Sequence, residues 1–314
     1  MPRRSIPLFV HRPSHASRFP WARRSLFAAL VALSCAASTV SAQAQGIAPR
    51  ENPSVRIRGS GPESWVLLSG LVGGVDGMRK LEARLLSRGY RVVTIDVYRL
   101  SIDSADVSFA TMARRVDALL ADAQVEHAHV VGHAHGGGVA LRLAASYPAR
   151  VSAVDLLDVG ALPESSTKVL GSALGLLPLL VHMPGGRAFL RSRFERGILE
   201  NSGETDWFSA DSRHTYIDPI LEDMGRVVAM ARRLRVMREP EAVETLLTRV
   251  RVPVTMVLGD APHTATPSAR AMRAIASLGG LLRVVHLPTA GHFPHEEMPD
   301  QLMQSLVVPR LVER

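Results

Sequence analysis

The chain has 314 residues, of which 46% are hydrophobic and 21% are charged. This composition excludes a disordered chain and a collagen-like chain, and it is sufficient for a large apolar core. A formal net charge of +8 would suit a nucleic-acid-binding protein, and a single cysteine excludes an internal disulfide framework.

Both the excess charge and the cysteine lie mainly near the N-terminus. Residues 1–44 contain six arginines and no acidic residue, which leaves 31 Lys and Arg residues against 29 acids in the rest of the chain. A nearly neutral body gives no support to nucleic-acid binding, so we predict no nucleic-acid partner.

Residues 1–44 have the pattern of an export signal. Arg23 and Arg24 precede an uncharged run at residues 25–40 that is rich in Ala and Leu, and residues 42–44 (Ala-Gln-Ala) fit the small-x-small cleavage pattern. The run is shorter than the roughly 20 residues of a membrane span, so we expect cleavage rather than an uncleaved anchor. The paired arginines resemble a twin-arginine signal. The sequence therefore predicts an exported protein, periplasmic or secreted, whose mature form has no cysteine and no stable membrane span.

From about residue 55 onward, short apolar segments alternate with longer amphipathic ones. Strands are predicted at residues 55–58, 65–68, 91–96, 129–132, 151–158, 252–259 and 281–287, and helices at 78–87, 109–123, 135–146 and 267–278. This alternation is typical of an α/β fold, a mostly parallel central sheet with helices on both faces.

Residues 161–245 interrupt this alternation with further helical patterns, including residues 220–237. We interpret them as a helical cap inserted between two strands, although additional core helices would give a similar pattern. The predicted organisation is an export signal at 1–44, a core at 45–160 and 246–314, and a cap at 161–245.

The most informative motif is residues 132–136 (Gly-His-Ala-His-Gly), which follow a predicted strand and begin a predicted helix. In a Gly-x-Ser-x-Gly elbow, a nucleophilic serine lies on a sharp strand-to-helix turn, and the glycines allow strand and helix to approach closely. Gly132 and Gly136 are present here, but Ala134 occupies the position of the nucleophile.

A second motif, residues 290–296 (Ala-Gly-His-Phe-Pro-His-Glu), follows the last predicted strand. With both motifs in this order, the chain resembles the α/β-hydrolase superfamily, in its esterase and lipase-like branch, from about residue 55 to the C-terminus. The resemblance implies the α/β-hydrolase fold. It also implies that His292 is the general base and that the backbone N–H groups of Leu71 and His135 form an oxyanion hole.

The sequence leaves two candidates for the acid that orients His292. Pro262 falls where the family's acid is expected after the penultimate strand, and Asp260 lies two residues earlier. Asp158 ends the strand after the elbow helix, a position that some family members use. We favour Asp158 because a strand end is a rigid mount for orienting a histidine, and we keep Asp260 as the alternative.

Ala134 decides the predicted chemistry, because a methyl group cannot attack a carbonyl or form an acyl-enzyme. Ser69 could supply a hydroxyl, but a turn serine is the favoured interpretation. We predict an exported, hydrolase-like enzyme that uses His292 on a small apolar ester without a covalent serine intermediate. Two alternatives stay open: a non-catalytic relative that binds a ligand, and cofactor-free proton-abstraction or dioxygenase chemistry.

No cofactor is predicted, since the sequence has no phosphate loop, dinucleotide fingerprint or zinc-spacing motif. His127, His129, His133 and His135 alternate along a strand into the elbow, but the last two flank a sharp turn that should separate their side chains. We therefore predict no metal, and a small-molecule substrate or ligand as the partner. The oligomeric state is left open.

Overall fold

The computed structural model describes residues 53–159 and 176–306. The predicted export signal at 1–44 lies outside these residues, as do residues 161–175 of the predicted cap and residues 307–314.

Seven strands of the described chain form one sheet. They are β1 (Val55–Arg58), β2 (Ser64–Leu68), β3 (Arg91–Ile95), β4 (Ala128–His133), β5 (Val151–Leu157), β6 (Val254–Gly259) and β7 (Leu282–Leu287). Their order across the sheet is β1-β3-β2-β4-β5-β6-β7. β1 pairs antiparallel with β3, and the other described pairs are parallel, which confirms the predicted mostly parallel sheet.

The described helices surround and extend this sheet. They are α1 (Arg79–Ser87), α2 (Val97–Ile102), α3 (Phe109–Asp122), α4 (His135–Ser146), α5 (Leu177–His182), α6 (Gly186–Leu199), α7 (Ala210–Tyr216), α8 (Asp218–Glu222), α9 (Met224–Val236), α10 (Val243–Leu247), α11 (Ala269–Ala276), α12 (Pro294–Glu297) and α13 (Pro299–Ser305). None of them combines the length and apolarity that a bilayer span needs.

Two apolar clusters cover the two faces of the sheet. Successive residues of a strand point to opposite faces, so β2 places Val66 and Leu68 in one cluster and Trp65 and Leu67 in the other. The first cluster includes residues of α3, α4, α10 and α11, and the second includes residues of α1 and α13. This arrangement confirms the prediction of helices on both faces.

Helices α5 to α9 lie between β5 and β6 in the chain and share a third apolar cluster. Trp207 and Tyr216 of this cluster pack against Phe293, in the loop after β7, with ring centroids 5.4 and 5.7 Å away. The structure divides the predicted helix 220–237 into two helices, because Asp223 follows the end of α8 and its side chain caps the start of α9. The α10 helix, in which the predicted boundary at residue 245 falls, packs instead with α4 and α11.

The turn from β4 to α4 depends on close backbone contact at its two glycines. A Cβ added to Gly132 would lie 2.5 Å from the carbonyl oxygen of Gly136, and a Cβ added to Gly136 would lie 2.4 Å from that of Leu68. No side chain fits these gaps, which confirms the predicted role of both glycines in bringing strand and helix together.

We expect Gly136→Ala to lower the free energy of unfolding by about 1–3 kcal/mol or more, because the added methyl group overlaps backbone atoms. The matched control is Gly197→Ala in α6, where an added Cβ meets no atom within 4 Å. That change should raise the free energy of unfolding by up to about 1 kcal/mol. Urea unfolding measures the free energy of unfolding of both variants. Equal changes in the two variants would contradict the proposed backbone overlap at Gly136.

Candidate active site

Ala134 makes the elbow turn by itself, since β4 ends at His133 and α4 begins at His135. Its φ is 48° and its ψ is −114°. A positive φ is rare for a residue with a Cβ and stores about 1–3 kcal/mol of strain. The N–H of Ala134 donates to the carbonyl of Leu157, and the N–H of Gly137 donates to the carbonyl of Ala134. The elbow therefore keeps the shape that presents a nucleophile, although its side chain is a methyl group.

The structure brings His292 and Asp158 together. Nδ1 of His292 lies 2.6 Å from Oδ2 of Asp158. The His292 side chain is 17% exposed, whereas the Asp158 side chain is fully buried. Nε2 of His292 makes no hydrogen bond to any described residue, so it is available to a substrate or to water.

Asp158 is a charged group despite its burial. Burial raises the pKa of Asp158, but hydrogen bonds and charge from His263 and His292 outweigh it and lower the pKa to about 2. The Asp158 backbone has a φ of 44°, and its N–H donates to the carbonyl of Val257. The carboxylate is thus ionised and held firmly at the end of β5.

Asp260, the alternative acid, does not reach His292. Its Oδ1 lies 2.7 Å from Nδ1 of His286, and both side chains are largely exposed. β6 ends at Gly259, and the N–H of Asp260 donates to the carbonyl of Leu287, so Asp260 is held against the exposed edge strand β7. Of the two acids that the sequence left open, Asp158 is the partner of His292.

His263, which no sequence motif predicted, also binds Asp158. Its Nε2 lies 2.9 Å from the same Oδ2, and its side chain is 1% exposed. His263 directly follows Pro262, at the place where the family's acid is expected. The signal in the sequence was the titratable side chain next to Pro262, which is a histidine and not the carboxylate that the family pattern predicts.

Asp158, His263 and His292 lie close enough to suggest a metal site. However, two ligands about 2.1 Å from a tetrahedral zinc ion lie about 3.4 Å apart. The separations of 2.6 and 2.9 Å between Asp158 and the two rings are shorter and match direct hydrogen bonds. The three side chains are therefore arranged as a hydrogen-bonded array.

A glutamate holds the loop that carries His292. Oε1 of Glu297 accepts the N–H of Phe293 at 2.9 Å, and Oε2 accepts the N–H of Gly291 at 2.8 Å. The same Oε2 accepts the N–H groups of Gly203 and Glu204, which follow α6. This carboxylate joins both flanks of His292 to the helical insertion.

The predicted oxyanion donors lie beside the elbow. A Cβ added to Gly70 would lie 3.6 Å from the Cβ of Ala134, so the loop that carries Leu71 runs past the methyl group. Among the described residues, no group accepts a hydrogen bond from the N–H of Leu71 or from that of His135. Both donors are free to bind an oxygen.

Ser69 is not a free hydroxyl. Its Oγ donates to the carbonyl of Gly70 at 3.2 Å and accepts the N–H of Val97 at 3.2 Å. The side chain is buried and fastens the Leu71 loop to the start of α2. This geometry agrees with the interpretation of Ser69 as a turn serine.

A cleft of about 420 Å³ opens beside the Leu71 loop. Loop residues 71–76, helix α2 and helices α7 to α9 form its walls. Apolar side chains of Val72, Ile102 and Ile220 alternate there with charged pairs such as Asp223 and Arg226, whose charged atoms lie 3.2 Å apart. The cleft can accept a small molecule with an apolar part and a polar part.

A family model described as "Alpha/beta hydrolase family" matches residues 57–304. The chain belongs to the alpha/beta hydrolase family. Its fold also matches solved alpha/beta hydrolases. A thermophilic esterase from Thermogutta terrifontis has a TM-score of 0.60 at 21% identity and covers 80% of this chain and 90% of its own. An alpha/beta hydrolase fold protein from Burkholderia ambifaria has a TM-score of 0.63 at 20% identity, with 81% and 92% covered. At these identities the likeness shows the fold.

Two named proteins are similar in sequence to this alpha/beta hydrolase. A protein named carbamate hydrolase RutD, from Variovorax paradoxus, is 32% identical over 136 residues, which is 42% of this chain. The chain thus spans 50% of the length of that relative. The sn-1-specific diacylglycerol lipase ABHD11 of Mus musculus is 24% identical over 256 residues, with 77% of this chain and 78% of that protein covered.

Three buried histidines surround the elbow of this alpha/beta hydrolase. Nε2 of His133 lies 2.8 Å from the carbonyl oxygen of His292, and His135 packs against Phe109. Burial lowers the pKa of His133 to about 3 and that of His135 to about 4. Burial, together with nearby positive charge, lowers the pKa of His295 well below its ordinary value. These rings are uncharged at neutral pH.

The other two histidines of this stretch bind elsewhere. Nδ1 of His127 lies 2.8 Å from the carbonyl oxygen of Ala149, and Nε2 of His129 lies 2.7 Å from Oδ2 of Asp155. The four alternating histidines therefore have separate surroundings and do not converge on one point.

We expect His135→Leu to make the protein less sensitive to acid. Unfolded His135 takes up a proton near pH 6.5, whereas the folded ring stays neutral down to about pH 4. Its contribution to stability is therefore present above pH 6.5 and is lost as the pH falls toward 4, a loss of about 3 kcal/mol.

Urea unfolding between about pH 7 and pH 4 measures this effect. His127→Leu, which changes an exposed ring just before β4, serves as the matched control and should keep the original pH dependence. An unchanged pH dependence in His135→Leu would contradict the assignment.

Proposed function

We propose that this alpha/beta hydrolase uses His292 to activate water for attack on a small, mostly apolar ester, with no covalent enzyme intermediate. The observation that carries the proposal is the hydrogen bond of 2.6 Å between His292 and Asp158, beside an elbow whose residue is Ala134. A base and its orienting acid are present, whereas the nucleophile that they would serve in an esterase is absent.

Water would take the place of the serine hydroxyl. Nδ1 of His292 donates to Asp158, which fixes the tautomer that leaves Nε2 as the proton acceptor. A water molecule bound at Nε2 would give up a proton as its oxygen attacks the carbonyl carbon of the ester. General-base assistance of this kind contributes about 10²–10⁴-fold to a rate.

The developing oxyanion would be bound by the N–H groups of Leu71 and His135. Backbone donors do not depend on the side chain at the elbow, so replacement of serine by alanine leaves them in place. When the tetrahedral intermediate collapses, protonated His292 would return the proton to the leaving alkoxide. The products are a carboxylic acid and an alcohol, and one water molecule is consumed.

The cleft beside Leu71 can hold the apolar part of an ester, while charged side chains such as Asp223 and Arg226 line the rest of it. Apolar side chains of the cleft beside Leu71 include Val72, Ile102 and Ile220, and the cleft volume of about 420 Å³ suits a small molecule. The esterase-like structures and the lipase-named relative are compatible with the same reaction class.

We expect His292→Ala to reduce hydrolysis of chromogenic esters by about 10²-fold or more. The matched control is His286→Ala, because His286 pairs with Asp260 on the surface and lies outside the proposed site. An unchanged rate in His292→Ala would overturn the proposal. Tight binding of a ligand without any turnover would instead indicate a non-catalytic relative, and oxygen uptake would indicate dioxygenase chemistry.

We expect Ala134→Ser to gain activity and to become labelled by a fluorophosphonate at residue 134. The elbow already has the required backbone, and a serine contributes about 10⁶-fold to turnover in a comparable triad. A gain of at least tenfold in ester hydrolysis, with labelling that depends on His292, is the expected result. No labelling and no gain would show that the surrounding groups are not arranged for acyl transfer.

We also propose that residues 1–44 direct export and are removed after Ala44. The support is the arginine pair, the uncharged run and the Ala-Gln-Ala site in the sequence. Mass spectrometry of the exported protein should find a chain that begins at Gln45. Recovery of the protein outside the cytoplasm with residues 1–44 still attached would contradict cleavage, and retention in the cytoplasm would contradict export.

A further inference from the structure

Both ring nitrogens of His263 face hydrogen-bond acceptors. Nδ1 lies 2.7 Å from the carbonyl oxygen of Ala261, and Nε2 lies 2.9 Å from Oδ2 of Asp158. A neutral imidazole has one N–H and one lone pair, so a neutral ring would set a lone pair against one of these oxygens. An imidazolium has two N–H groups and satisfies both contacts.

A buried cation requires a nearby counter-charge. The side chain of His263 is 1% exposed and that of Asp158 is fully buried, so the two form a buried ion pair when the ring carries both protons. The pKa of His263 is raised, chiefly by its hydrogen bond to Asp158, and this outweighs the opposing effect of burial.

The same oxygen of Asp158 also binds His292. Oδ2 accepts hydrogen bonds from both rings, while Oδ1 has no hydrogen-bond partner among the described residues. The centroids of the two rings are 6.0 Å apart. One negative charge therefore lies between two imidazoles, and a proton on each ring would leave an excess positive charge in a buried place.

We propose that His263 is an imidazolium at neutral pH, and that it offsets the charge of Asp158 so that His292 remains an uncharged base. His263 acts through Asp158 and is thus a positioning residue. The inference rests on the proposed function of His292 for its catalytic consequence, although the protonation state of His263 is independent of it.

The consequence concerns proton affinity. In a site with one aspartate and one histidine, an unopposed carboxylate stabilises the protonated ring. Here the positive charge of His263 already balances the carboxylate that both rings contact, so a second proton in the array would add an unbalanced positive charge. A water-activating enzyme needs the base form of His292 at the start of each turnover.

Other groups around the array do not replace this charge. Those that face it are His133 from β4 and His295 and Glu297 from α12, while Asp260 follows β6 outside the array. His133 and His295 are neutral because of burial, and Glu297 binds backbone N–H groups on both sides of His292. Asp260 is paired with His286 at the surface.

The first experiment uses the unsubstituted protein and needs no turnover. Nitrogen-15 NMR of the imidazole rings near pH 7 should show both nitrogens of His263 protonated and Nε2 of His292 unprotonated. An unprotonated nitrogen in the His263 ring at that pH would overturn the proposal, whatever the activity of the protein.

The second experiment compares His263→Gln with His286→Gln. Glutamine can donate to Asp158 but carries no charge, so the proton affinity of His292 should rise by about tenfold or more in His263→Gln. The acid limb of the pH–rate profile should move to higher pH by the same factor. His286→Gln removes the surface pair with Asp260 and should change neither property.

The outcomes separate the two proposals. NMR can follow the protonation of His292 in folded His263→Gln. A midpoint equal to that of the unsubstituted protein would overturn the role of His263. If NMR finds the expected change in the protonation of His292 but no variant loses hydrolysis, only the proposed function is overturned. If His263→Gln does not fold, the ring-nitrogen measurement on the unsubstituted protein still decides the charge of His263.

Discussion

The buried carboxylate of Asp158 joins the loops at the carboxyl edge of the sheet. Its Oδ2 accepts hydrogen bonds from His263, after β6, and from His292, after β7. Because an ionised group without water must be paired, both loops are held where they can satisfy it. The elbow is joined to the same strand, since the N–H of Ala134 donates to the carbonyl of Leu157. The site therefore depends on one charge at the end of β5.

The fold and the principal site residues could be predicted from the sequence because their signals are local. Alternating apolar segments predicted the parallel sheet, and the glycines at 132 and 136 predicted the close strand-to-helix turn. The resemblance to the α/β-hydrolase superfamily implied His292 from its loop motif, and it favoured Asp158, at a rigid strand end, over Asp260. Each of these inferences needed only a few neighbouring residues.

The remaining features depend on contacts between distant segments. The path of the loop with His263 is set partly by Asn201, whose Oδ1 accepts hydrogen bonds from the N–H and the hydroxyl of Thr264. No local sequence pattern predicts that contact. Asp260 and Asp158 both follow strands, and only the register of β6 with β7 directs Asp260 toward His286. Helix α2 has six residues, too few for a clear apolar period.

The carboxylate of Glu297 links the orientation of the base to the position of the insertion. It binds the N–H groups of Gly203 and Glu204 as well as those on both sides of His292, and the N–H of His292 donates directly to the carbonyl of Asn201. Segment 201–204 cannot swing away without breaking these hydrogen bonds. Movement of this segment would therefore loosen the backbone on both sides of His292 while its ring stays bonded to Asp158, so the position of the insertion and the freedom of this loop are coupled.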